Sequence, residues 1–97
     1  MVASISWKKY LEQCGRERLQ GKRGPTPQDI AVDLVLGAGR EGLQKEHIVT
    51  GISMCTGIIA DEVGKHWDEI EAALVRRIDI VKRRGGNWCR KSRSGRA

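Results

Sequence analysis

Ninety-seven residues supply one domain, and 22 Leu, Ile and Val with no Phe give it a modest core, enough to exclude wholesale disorder. The net charge of +6 is segregated: residues 1–75 carry nine basic and eleven acidic side chains (net −2), whereas residues 76–97 carry nine basic residues against Asp79 alone (net +8). A basic end on an otherwise slightly acidic chain points to contact with a polyanion, most often nucleic acid.

The three cysteines, Cys14, Cys55 and Cys89, are odd in number and lack CxxC or CxxH spacing. The start, MVASISWKKYLEQCGRERLQ, has no apolar stretch of the signal-peptide kind. Reduced thiols in an intracellular compartment, cytoplasm or nucleus, are the expectation.

The first predicted helix runs from about Trp7 to Leu19, with Trp7, Leu11 and Cys14 at helical spacing and Ser6 as N-cap. GKRGP, residues 21–25, reads as a loop, because two glycines and a proline interrupt any regular hydrogen-bonding pattern. Thr26-Pro27-Gln28-Asp29 is a variant capping box, with Thr at the N-cap, Pro at N1 and an acid at N3. It opens a helix from Pro27 to about Leu36, in which only Asp33 interrupts the apolar run IAVDLVL. Gly37 is the expected C-cap, and GAGREG, residues 37–42, the connection.

HIVTGISMCTGIIA, residues 47–60, contains no Asp, Glu, Lys or Arg. It is too short to span a bilayer, which takes about 20 apolar residues. A helix over about 43–64 is predicted instead, enclosed on both sides. Ile48, Ile52, Cys55, Ile59 and Val63 form its bulky stripe, and Thr50, Ser53, Gly57, Ala60 and Gly64 a stripe of small residues. Small side chains let another backbone approach closely, so that face is expected to be the interface of a homodimer.

Gly64 is expected to kink or break the helix. Trp67, Ile70, Leu74, Ile78 and Val81 then predict a further helix ending near Arg84. Its acids, Asp68, Glu69 and Glu71, lie at the start and its bases, Arg76, Arg77, Lys82, Arg83 and Arg84, at the end, as the helix dipole prefers. Gly85-Gly86 closes it, and residues 85–97 read as a flexible basic tail in which Trp88 either docks on the core or stacks on a base. The expected fold is all-α: a small bundle of about four helices over residues 1–84, paired as a symmetric dimer, with that tail attached.

No constellation announces a reaction. His47, His66 and the cysteines have no metal-ligand spacing, so neither metal nor cofactor is expected. The adjacent acids Asp61-Glu62 and Asp68-Glu69 face different directions on a helix and make no acid/base pair. The chain is read as a non-enzyme. A helix-turn-helix would place Arg40, Gln44, Lys45 and His47 near DNA, but the six-residue Gly37–Gly42 connection exceeds the usual three or four.

The best functional signal is the basic end. Arg76, Arg77, Lys82, Arg83, Arg84, Arg90, Lys91, Arg93 and Arg96 include seven arginines, whose planar forks match phosphate oxygens. Together with Trp88 they are the expected contacts of a largely sequence-independent nucleic-acid-binding protein, for RNA or DNA. The rival reading is a protein-interaction module of the kind with which viruses or phages inhibit or adapt a host factor. Its surface would be Trp7, Tyr10 and the GKRGP loop.

Overall fold

The computed structural model describes residues 5–22 and 24–91. Its five helices are α1 (Trp7–Leu19), α2 (Pro27–Ala38), α3 (Lys45–Thr56), α4 (Ala60–Lys65) and α5 (Trp67–Arg76), followed by a two-stranded antiparallel hairpin, β1 (Ile80–Lys82) and β2 (Trp88–Arg90). The chain is therefore mostly helical, but not all-α.

Local chemistry explains the first two helices as expected. The Ser6 hydroxyl accepts from the Lys9 amide at 3.1 Å and caps α1. At α2 the box is reciprocal: Thr26 Oγ1 accepts from the Asp29 amide at 3.2 Å, and Asp29 Oδ2 accepts from the Thr26 amide at 3.0 Å. The same carboxylate holds Arg18 at 3.0 Å, tying α1 to the start of α2. Helix α2 runs past the expected stop at Gly37 and ends at Ala38, with Gly39 as its C-cap.

The predicted helix over 43–64 is two helices. Gly57 adopts φ +84° and closes α3 by donating its amide to the Ser53 carbonyl at 2.9 Å. Thr56 and Ser53 then use their hydroxyls on local backbone, Thr56 on the Ile52 carbonyl and Ser53 on the Ile58 carbonyl. These side chains offer the chain an alternative to helical bonding, and the helix stops there. The break changes the phase of the apolar stripe. Ile48, Ile52 and Val63 are buried as expected, but Ile58 fills the core while Cys55 and Ile59 are exposed.

Around those residues pack Ala31 and Val35 of α2, Trp67, Ile70 and Leu74 of α5, and Trp7 of α1. Each fully buried aliphatic side chain contributes about 1.5–3 kcal/mol. Gly51 sits where the Leu34 side chain presses on α3, since a Cβ there would meet Leu34 Cδ1 at 2.7 Å. The N-terminal segment is held by the Trp7 amide, which donates to Glu62 at 2.6 Å, and by the Trp7 indole stacked on His66 at 4.3 Å between centroids.

The predicted helix over 67–84 ends at Arg76, and the chain from Arg77 onward turns into the hairpin. Residues 85–91, expected as the start of a flexible tail, form the hairpin turn and its second strand. The rest of that tail, residues 92–97, lies outside the described residues. No helix among the described residues is long and apolar enough to cross a membrane.

Candidate nucleic-acid interface

The basic end is a docked hairpin. Arg77 leaves the helix with extended ψ 126° and clamps Asp79 through two bonds, Nε at 2.9 Å and Nη2 at 2.7 Å. Hydrogen bonding to that guanidinium holds the Asp79 carboxyl below the ordinary aspartate value and the Arg77 guanidinium above its own. The β-branched residues Ile78, Ile80 and Val81 suit a strand better than a last helical turn. Gly85 and Gly86, at φ +83° and +79°, then reverse the chain, and the Arg83 amide donates to the Asn87 carbonyl at 2.7 Å.

Register fixes which groups stand together. Ile80 pairs with Arg90, Val81 with Cys89 and Lys82 with Trp88. Ile80, Trp88 and Cys89 are buried, so the hairpin is anchored by its own apolar residues. Trp88 also exchanges backbone bonds with Leu43, the Leu43 amide donating at 2.7 Å and the Trp88 amide at 2.8 Å. Gly42 makes this approach possible, because a Cβ there would lie 2.4 Å from the Trp88 carbonyl oxygen. Asn87 adds a bond from Nδ2 to the Glu41 carbonyl at 2.7 Å.

On this scaffold Arg76, Arg83, Arg84, Arg90 and Lys91 are exposed and, among the described residues, form no ion pair. Arg77 is engaged with Asp79, and Lys82 reaches Glu71 at 3.5 Å while its ammonium lies 5.4 Å from the Trp88 ring centroid. Two groups of cations result. Arg77, Arg90 and Lys91 gather near Asp79 at the base, where the Lys91 amide donates to the Asp79 carbonyl at 2.8 Å. Lys82, Arg83 and Arg84 occupy the tip, with Lys82 about 7 Å along the strand from the Ile80–Arg90 pair at roughly 3.4 Å per residue. Arg93 and Arg96 lie outside the described residues.

Three expectations are corrected. Trp88, counted among the expected nucleic-acid contacts, takes the docked alternative instead: it is 3% exposed and its ring belongs to the core. The small-residue stripe is not one helical face: Thr50 and Ser53 lie on α3, Gly57 is its cap, and Ala60 and Gly64 lie on α4. The bulky stripe is split as well, with Ile48, Ile52 and Val63 buried and Cys55 and Ile59 exposed. On the rival surface Trp7 is buried, and Tyr10 is half-buried with its hydroxyl donating to the Pro25 carbonyl at 3.1 Å. Burial, with the nearby Cys14 and Glu17 adding to it, pushes the Tyr10 phenol up to about 12.

The hairpin itself was overlooked in the sequence. Its signal is the pair of β-branched and aromatic runs, IDIV and WC, flanking a Gly-Gly turn. Also unforeseen is a mixed groove between α2 and α5, continuous through Gln28, Ala73 and Arg76, with compartments of about 450 Å³ each. Among the described residues no group of three or more His, Cys, Asp and Glu is placed to hold a metal ion.

Compared with family models, with curated proteins and with solved structures, the chain matches none.

Proposed function

We propose that this protein binds nucleic acid through backbone phosphates, using the C-terminal turn of α5 and the β1–β2 hairpin as a fixed basic prong. The observation that carries the reading is the ratio of charge to anchoring in residues 76–91. Seven bases stand against Asp79, while Ile80, Trp88 and Cys89 hold the segment on the core. Cations displayed on a fixed scaffold lose less conformational freedom on binding than the same cations on a tail. Neutralising phosphates releases condensed counterions and gives affinity without sequence preference.

Solubility and dipole compensation are the bland explanation of the same charges, and they fit Arg76 best, in the last turn of α5. Compensation of the α5 dipole does not account for Arg83, Arg84, Arg90 and Lys91, which lie beyond the end of that helix. Electrophoretic shift with unrelated DNA and RNA tests the proposal. Binding should be tight at low salt, collapse as salt rises, and vanish when Arg76, Arg83, Arg84 and Arg90 are changed to Glu with circular dichroism unchanged. Salt-insensitive affinity, or affinity that survives the reversal, overturns it.

Self-association is retained as part of the proposal on a changed surface. Met54, 81% exposed, and Ile59 flank the exposed Thr50, Gly57 and Ala60 around the end of α3. Met54→Asp should then lower the sedimentation coefficient if a second copy covers this region, and an unchanged monomeric value for the wild type contradicts it.

A further inference from the structure

The turn that joins α5 to β1 displays an aliphatic side chain inside the basic cluster. Ile78 is 91% exposed there, and Val75, in the last turn of α5, is 66% exposed. An isolated exposed aliphatic needs no explanation. Turns, however, favour Gly, Asn, Asp, Pro and Ser, so an Ile at this position has no local conformational cause.

The backbone that carries it is held on both sides. Arg77 clamps the Asp79 carboxylate across Ile78 at 2.9 and 2.7 Å, and the Ile80 amide donates to the Arg77 carbonyl at 3.5 Å. The Lys91 amide donates to the Asp79 carbonyl at 2.8 Å, which ties the turn to the end of β2. One apolar group is thus presented outward from a fixed turn. Arg76 and Arg77 precede it in sequence, and Arg90 and Lys91 stand across the hairpin base.

A partner for this arrangement is anionic around the aliphatic group and apolar where that group lands. A second copy of the same face would bring like charges together. A bilayer is held by an extended apolar face or a lipid chain, far more apolar surface than Ile78 and Val75 offer. A base step of duplex DNA has the right size, because one aliphatic side chain enters between neighbouring base pairs with phosphates on both sides of it. We propose that Ile78 is a wedge that enters a base step of duplex DNA from the minor groove, with Arg76, Arg77 and Arg90 on the flanking phosphates, so that the protein bends the duplex it binds. This rests on the phosphate-binding reading above and adds strand state and DNA shape to it. The minor groove of A-form RNA is wide and shallow, and brings its phosphate rows less close to such a wedge. Unstacking is easiest at pyrimidine–purine steps, so TA and CA steps should be preferred over stiff A-tracts without any base edge being read.

The test uses the full chain and short DNA duplexes carrying a donor and an acceptor dye at their two ends, one with central TA steps and one a continuous A-tract. Binding should raise energy transfer on the TA duplex, and that duplex should bind about five- to tenfold tighter than the A-tract. Ile78→Ala should abolish the rise in transfer and bring the two duplexes to within about twofold of one another. It should keep the salt slope, because the phosphate contacts remain. It should also fold normally, since the side chain it shortens is exposed. Leu19→Ala, which shortens a similarly exposed aliphatic on α1, should leave bending and preference unchanged. Salt-sensitive binding without bending by the wild type, or bending that survives Ile78→Ala, overturns the wedge and leaves phosphate binding standing. Cosedimentation with phosphatidylserine vesicles that Ile78→Ala abolishes, with no bending of DNA, assigns the residue to a membrane surface and also overturns the wedge. Absence of salt-sensitive binding to any nucleic acid overturns both.

Discussion

Replacing Trp88 with Ala separates a docked hairpin from a basic tail. Trp88 is 3% exposed, pairs with Lys82, and shares two backbone bonds with Leu43. Truncating a buried Trp to Ala costs about 3–5 kcal/mol, the transfer energy of the ring plus the cavity it leaves. A chain of this size has about 5–15 kcal/mol of stability in all, so the loss is a large share of it. At roughly 4–8 °C per kcal/mol, the melting temperature should fall by at least about 12 °C. Ending the chain after Arg84 should be more severe, because it also removes Cys89 and the whole of β2. Far-UV circular dichroism on heating and in urea measures both. A truncated chain that melts with wild-type cooperativity at the wild-type temperature would show that residues 85–91 contribute nothing to the core, and the docked-prong argument would fail with it.

Gly57→Ala should cost about 1–2 kcal/mol, the penalty of a left-handed conformation at φ +84°. Space is not the cause, since the nearest side-chain atom would be Ile5 Cγ2 at 3.7 Å; a urea midpoint equal to wild type contradicts the assigned break. Thr26→Ala should cost about 1 kcal/mol by removing half of the capping box, read from the same urea curves. The single tyrosine permits a clean alkaline titration, in which phenolate absorbance should rise with a midpoint near 12. Because the folded pKa lies above the unfolded 10, Tyr10 contributes stability that is complete below pH 10 and lost as pH rises through about 12. A midpoint near 10 in the folded protein would contradict the burial.

What was legible in the sequence was local. Ser6 and the Thr26-Pro27-Gln28-Asp29 box announce two helix starts because capping is a matter of three or four neighbouring residues. Ile48, Ile52, Ile70 and Leu74 were readable as core from their spacing. The breaks were harder. Periodicity carries straight through Thr56-Gly57, although the Gly57 cap and the hydroxyls of Ser53 and Thr56 end the helix and turn Ile59 outward. Ile78 and Val81 continue the stripe of α5 in register, yet Ile78 is 91% exposed because the chain has already left the helix at Arg77.

The candidate site followed the same division. Charge segregation located the basic cluster at residues 76–97, since charge counting needs no fold. It does not decide between the two readings of Trp88, because that residue lies within a polar segment and only the Leu43–Trp88 pairing, 45 residues apart, brings it into the core. The groove was invisible for the same reason: Gln28 and Arg76 meet only once α2 lies against α5.

If the hairpin binds phosphates as proposed, the salt slope of affinity reads it most directly. Log affinity against log salt should be linear, and Arg83→Ala and Arg84→Ala should each lower its slope by about 0.7–0.9, for every sequence alike. Lys8→Ala and Lys9→Ala, exposed bases on α1 far from the hairpin in sequence, should leave it unchanged. If instead the Arg83 and Arg84 variants keep the wild-type slope, or the Lys8 and Lys9 variants lose as much, the hairpin is not the phosphate-binding surface.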